Sequence, residues 1–237
     1  MASGWQYQAQ APTVDRAAYD AGLRAYMLRI FNYMGAGLAI TGLVAFMVSQ
    51  SMGTMQVLFG TPLKWVIMLS PMAFVLVLSF GIHRMSAATA QLVFWAFAGV
   101  MGLSMASIFL VFTGASIARV FFITAIMFGS VSLFGYTTKR DLSKMGTFLM
   151  MGLIGIVIAS IVNIFLGSSM LQFIVSVAGV LIFTGLTAWD TQRLKEEYNE
   201  GYGHESLGKM AILGALSLYL NFINMFQFLL SLAGNRE

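Results

Sequence analysis

The sequence predicts an all-α integral membrane protein, a bundle of seven transmembrane helices, and three observations carry that prediction. Of its 237 residues, 59% are hydrophobic and 9% charged, against about 25% charged in an ordinary soluble domain. Seven apolar runs are long enough, or nearly so, to cross a hydrocarbon core of about 30 Å, which takes about 20 helical residues. Lys and Arg then divide unequally between the two sides that seven crossings define.

The runs cover residues 28–49, 63–82, 90–112, 117–136, 147–166, 170–189 and 209–233. Their connections are short, so neighbouring spans form antiparallel hairpins. Residues 1–27 read as a mobile N-terminal cytoplasmic tail, with 14–26 on the membrane surface, and residues 28–237 as the membrane domain. The first apolar run starts too far into the chain for a cleavable signal peptide. The N-terminal side collects Arg16, Arg24, Arg29, Arg84, Lys139, Arg140, Lys144, Arg193, Lys195 and Lys209; the opposite side has Lys64, Arg119 and Arg236. The positive-inside rule therefore puts the N-terminus in the cytoplasm and the C-terminus outside. Six or eight spans would scramble that split.

The chain has no cysteine, which excludes disulfides and thiolate metal sites. His83 and His204 lie far apart, so no zinc or haem spacing exists. His83, next to Arg84, reads as interfacial. No nucleophile, base and orienting group can be assembled from the sequence, so neither an enzyme nor a cofactor is expected, and no nucleic-acid partner. Lys139, Arg140 and Lys144 are explained by topology and anionic headgroups. The loop acids Glu196, Glu197, Glu200 and Glu205 alternate with Arg193, Lys195 and Lys209 and read as a solvated loop.

Within the spans, Gly35, Gly37 and Ala39, Gly99 and Gly102, and Gly152, Gly155 and Ala159 recur near helical spacing, as close helix packing requires. Pro71 removes a backbone donor from span two and predicts a kink there. Eighteen Met and twenty Phe fill lipid-facing and interhelical space.

Two stretches stand apart. Span six ends in Phe183-Thr184-Gly185-Leu186-Thr187-Ala188-Trp189-Asp190-Thr191-Gln192-Arg193, where an apolar helix becomes a charged one. With Arg193 at headgroup level, Asp190 lies one turn inward, roughly 4–5 Å at the helical rise. A carboxylate just inside the boundary marks a pairing or transport site, or else an interfacial residue that reaches back to water. In span seven, Gly214, Ser217, Asn221, Asn224 and Phe228 share one face, with Gln227 beside it. Amides inside hydrocarbon need partners, so this face is expected to point into the bundle, either as interhelical glue or as the lining of a polar pathway.

These two stretches, 179–192 and 215–226, resemble the Bax-inhibitor family of membrane proteins in its bacterial branch. Gly135-Tyr136-Thr137-Thr138-Lys139-Arg140-Asp141-Leu142 and Thr113-Gly114-Ala115-Ser116-Ile117-Ala118 support the likeness, which runs from span one to the end. The resemblance implies a seven-helix fold with the last helix central and six around it. It further implies a pH-sensitive calcium leak across the membrane, with Ca²⁺ or another cation as transported ion, or modulation of a membrane-bound protease. The family's proposed sensor is a pair of aspartates. Asp190 matches the first, which makes it a candidate Ca²⁺ ligand. The second position is Asn221, in Leu-Tyr-Leu-Asn-Phe where the family usually reads Leu-Tyr-Leu-Asp-Phe.

That departure matters because two close carboxylates titrate as a unit, whereas an amide does not titrate. The pH switch is expected to move to lower pH or to vanish. Calcium binding is weakened, since an amide carbonyl ligates a hard cation without contributing charge. Arg84, on the same side of the membrane, is the expected cationic partner of Asp190.

Overall fold

The structure, a computed structural model, describes residues 16–235. Its helices are α1 (Arg16–Ser49), α2 (Met52–Gly60), α3 (Leu63–Gly81), α4 (Ala87–Met105), α5 (Gly114–Thr137), α6 (Ser143–Leu166), α7 (Ser169–Glu196) and α8 (His204–Ala233). Short 3-10 turns, Ile82–Arg84 and Ala106–Leu110, extend α3 and α4. Seven of the helices are long and apolar enough to cross a membrane. The nine residues of α2 are too few, and it joins the first two crossings.

Local chemistry sets the boundaries. Ser51, Thr113 and Ser168 each accept a backbone N–H three residues ahead at 3.3 Å, and Ser86 does so at 3.1 Å, satisfying a donor left free at a helix start. Asp141 Oδ1 accepts the Ser143 N–H at 2.8 Å at the start of α6, and this hydrogen bond holds its carboxyl below the usual range. Between α6 and α7 the chain reverses at Gly167, whose φ of 60° is costly for a side chain with a Cβ.

Helix α8 is the core. In its most apolar window 61% of residues are buried, against 6% in α6. It packs on α1, α4, α5 and α7, and α3 touches it at the edge. Helix α6 leans mainly on α7, so the ring of six expected around the last helix is open on that side. Tyr219 shows how α8 is anchored. Its ring lies 5.2 Å from Phe97 and 6.2 Å from Phe94, and its hydroxyl bonds Thr41 Oγ1 at 2.6 Å, which itself donates to Ala98 O. One buried hydrogen-bonded chain thus ties α8 to α1 and α4.

The expected small-residue contacts divide. A Cβ on Gly37 would meet Phe94 at 3.0 Å, one on Gly102 would meet Thr41 O at 2.7 Å, and one on Gly152 would meet Ile182 at 2.8 Å, whereas Gly35, Gly99 and Gly155 face open space. Outward, Phe80, Phe122, Phe148 and Phe165 are exposed, as lipid-facing side chains are.

The first helix differs from expectation. It begins by Arg16, twelve residues before the apolar run at Leu28, and its 34 residues span about 51 Å. The early turns are packed. Leu23, Tyr26 and Met27 are buried, and the Tyr198 ring lies 5.3 Å from Tyr19 and 5.5 Å from Tyr26. Tyr198 sits directly over Gly22, leaving no room for a Cβ. The apolar count missed this segment because aromatic anchors, not a hydrophobic run, hold it. The rest of the expected mobile tail lies outside the described residues.

Candidate functional site

The site is built where the last turns of α7 meet the middle of α8. Asp190 is only 5% exposed and Asn221 6%, so Asp190 does not reach back to water. Three donors surround its carboxylate. Ser217 Oγ and Asn221 Nδ2 each donate to Oδ2 at 2.7 Å, and Arg193 lies 3.0 Å from Oδ1. Charge and both acceptor oxygens are thereby compensated, as a carboxylate at this depth requires.

The cation is Arg193 and not Arg84. Arg84 sits on the 3-10 turn that follows α3, outside the α6–α7–α8 cluster that surrounds Asp190, and it pairs with no acid among the described residues. Arg193 is three residues along the same helix, which brings it back over Asp190. It is held at two further points. Its guanidinium lies 5.0 Å from the Trp189 ring centroid, a cation–π distance. Its Nε is 3.5 Å from Glu197 Oε1, an ion-pair distance without hydrogen-bond geometry. Of the other loop acids, Glu196 and Glu200 are exposed, whereas Glu205 accepts the Ala87 N–H at the start of α4 at 2.7 Å and pairs with Lys209 at 3.6 Å.

A cavity of about 410 Å³ opens at this cluster, lined by Met150, Leu153 and Val157 of α6, by Asp190 and Arg193, and by Ser217, Asn221 and Asn224. A second of about 270 Å³ shares Leu153, Val157, Phe183 and Asn224 with it and reaches Phe228. The stripe of α8 thus splits in role. Asn221 is glue between helices, Asn224 bonds its own helix at Leu220 O (2.7 Å) while lining the cavity, and Gln227 is exposed. Phe228 stacks on Phe183 with centroids 6.0 Å apart, and Gly179 makes the space, since a Cβ there would meet the Phe228 ring at 2.5 Å. Past this ring pair the lining turns polar again, in a cavity of about 370 Å³ with Asn163, Gln172, Ser176 and Ser231.

As for a metal, no group of three or more His, Asp or Glu gathers among the described residues. Asp190 is the carboxylate of this cavity, with neutral oxygens from Ser217, Asn221 and Asn224 beside it. The Arg193 guanidinium occupies the position a cation would approach.

The stretches singled out in the sequence meet in space. Gln192 Oε1 accepts the Leu142 N–H and its Nε2 donates to Arg140 O, both at 2.8 Å. Lys195 Nζ donates to Tyr136 O at 2.9 Å. Gly135 lies against the Ala188 carbonyl, and Gly146 under the Trp189 ring, with no room for a Cβ at either. The loop 138–142 is therefore clasped to the end of α7. At the other end of the bundle, Thr113 N donates to Asn235 O at 3.2 Å and Asn235 N to Ser116 Oγ at 2.9 Å. Trp189, Gln192 and Arg193 were missed as site residues, although the spacing of Arg193 from Asp190 carried the signal.

The family model described as inhibitor of apoptosis-promoting Bax1 matches residues 23–237. The inner membrane protein YbhL of Escherichia coli is 46% identical over 220 residues, 92% of this chain and 94% of that protein. Proteins described as uncharacterized from Caulobacter vibrioides and Rickettsia prowazekii are 46% and 44% identical, over 97% and 95% of both chains in each pair. With a match over nearly the whole membrane domain, and with every motif that carried the resemblance engaged in holding the bundle together, the chain belongs to the Bax-inhibitor family of multi-pass membrane proteins.

Proposed function

We propose that the protein is a cation leak pathway of a bacterial inner membrane, with calcium as the leading ion and the N-terminus in the cytoplasm, and that Asn221 holds its sensor pair in one state. The observation that carries this reading is the 2.7 Å bond from Asn221 Nδ2 to Asp190 Oδ2. When two carboxyl groups share one proton, one acts as donor and the other as acceptor. Asn221 supplies that donor as an N–H, which pH does not remove. The pair therefore stays bonded at neutral and alkaline pH, where two aspartates would repel.

Arg193 is the second closure. A cation reaching Asp190 must displace a guanidinium held by Asp190, Glu197 and Trp189. The stacked Phe183 and Phe228 rings are the third, lying between the Asp190 cavity and the polar cavity around Ser176 and Ser231.

Calcium flux into proteoliposomes tests it. Flux above that of empty vesicles, altered by Asp190→Asn, supports the leak; no flux from native protein, Asn221→Asp or Phe228→Ala at any pH rejects it.

A second reading, a non-conducting regulator bound to a membrane protease or another membrane protein, is favoured by α6. That helix packs mainly on α7 and presents Phe148, Ile154 and Phe165 outward. Crosslinking from α6 in native membranes that captured no other protein would count against it.

A further inference from the structure

Between α1 and α5 runs a groove that the leak pathway does not use. Helices α1 and α5 stand apart across it. On the C-terminal side of the bundle, a cavity of about 500 Å³ is lined by Leu38, Phe46, Ile117, Phe121, Phe222 and Phe226 among others. On the N-terminal side, a second of about 560 Å³ lies between α1 and α5, with Met27, Leu28, Phe31 and Met34 facing Phe128 and Leu133. This second cavity has a polar mouth. Arg24 and Tyr136 line it, and the Lys195 ammonium sits 5.1 Å from the Tyr136 ring centroid.

We propose that the N-terminal half of this groove binds one phospholipid with an anionic headgroup, from the leaflet on that side of the membrane. Depth is the first argument. From Arg24 to Met34 is about 15 Å along α1, half of a hydrocarbon core of about 30 Å, so the cavity is one leaflet deep. Charge is the second. Arg24 forms no ion pair among the described residues, with Asp20 one turn earlier left unpaired to it, and Lys195 bonds only a carbonyl. Two cations beside an apolar slot suit a phosphate of net negative charge, as basic pockets between membrane helices do.

The third argument is Ser132. Ser132 lines the cavity, and its buried hydroxyl has no hydrogen-bond partner. It lies four residues inward from Tyr136, about 6 Å below the mouth. Glycerol ester carbonyls of a phospholipid lie just below the phosphate and are acceptors only, which is what an unpaired hydroxyl donor needs. The acyl chain then follows Phe31, Met34 and Phe128.

The test is native mass spectrometry of the full-length protein released from mixed micelles of equimolar phosphatidylglycerol and phosphatidylcholine. Native protein is expected to retain the anionic lipid over the neutral one by roughly fivefold or more, the effect of one basic residue near an anionic headgroup. Arg24→Gln combined with Lys195→Gln should bring the ratio close to one, while Arg24→Lys keeps it. Gly129→Leu supplies a folding-neutral block. Gly129 lines the cavity, and a Cβ there meets nothing within 4 Å; this variant should lose the bound lipid with its helical content unchanged. Equal retention of both lipids by native protein overturns the proposal. So does a preference that survives the double substitution, full occupancy in Gly129→Leu, or a second copy of the chain in place of lipid.

Discussion

The side-chain amide of Asn221 donates a 2.7 Å hydrogen bond to Oδ2 of Asp190, joining the end of α7 to the middle of α8 inside the bundle. Ser217 donates to the same oxygen and Arg193 engages the other. Everything the site can do follows from how firmly this carboxylate is held.

Asp190→Asn keeps the shape and removes the charge. Hydrogen bonds to charged groups contribute about 1.5–3 kcal/mol each, and the Arg193 pair is half open to solvent, which weakens it. A loss of about 1–3 kcal/mol in unfolding free energy is expected, read by thermal or denaturant unfolding in detergent. Unchanged stability would mean that the carboxylate is not held by these donors.

Gln192→Ala should release the loop 138–142 from α7. It leaves the Leu142 N–H and Arg140 carbonyl without their partners, at a cost of about 1–3 kcal/mol for the buried Leu142 N–H. Hydrogen exchange should accelerate at 138–143 while α8 stays protected.

Gly135→Ala should overpack the closest approach between α5 and α7, where the Ala188 carbonyl leaves no room for a Cβ. About 1–3 kcal/mol of destabilisation is expected, seen as a lowered unfolding midpoint. Gly129→Ala, on the same helix but facing open space, is the matched control and should unfold like the native protein.

What the sequence reveals of this arrangement depends on the kind of force involved. Seven crossings and their order follow from hydropathy and charge, because burial in lipid leaves long uninterrupted signals. The packed start of α1 does not, since Tyr19, Tyr26 and Tyr198 act across 172 to 179 positions of sequence without any apolar run. Asp190 was visible as a carboxylate out of place, and Asn221 as an amide needing a partner. That each was the other's partner is a tertiary fact. Side of the membrane alone points to Arg84 as the cation, whereas helical spacing points to Arg193, one turn from Asp190. Gln192 gave no hint because a glutamine at the end of a span looks like any surface residue until the loop it clasps is seen.

Phe228→Ala should open the apolar barrier between the two polar cavities. Because the chain has no cysteine, Asn224→Cys and Ser231→Cys can be labelled singly with a membrane-impermeant thiol reagent. These positions are about 10 Å apart along α8. In the native background each is expected to react from one side only, position 224 from the N-terminal side and 231 from the other. With Phe228→Ala, at least one should become reachable from both. One-sided labelling that persists would show that the ring pair is not the barrier.

In the function proposed above, Asn221 replaces a shared proton with a permanent N–H donor. The most direct measurement is calcium flux into proteoliposomes across a pH series for the native protein and Asn221→Asp. The substitution puts two carboxyl groups within hydrogen-bonding distance, where they bind one proton between them and titrate as a pair. A flat pH profile is expected for the native protein through neutral pH and a sigmoidal one for Asn221→Asp, with a transition nearer neutrality. A native profile that already switches near neutral pH, left unmoved by Asn221→Asp, would contradict it.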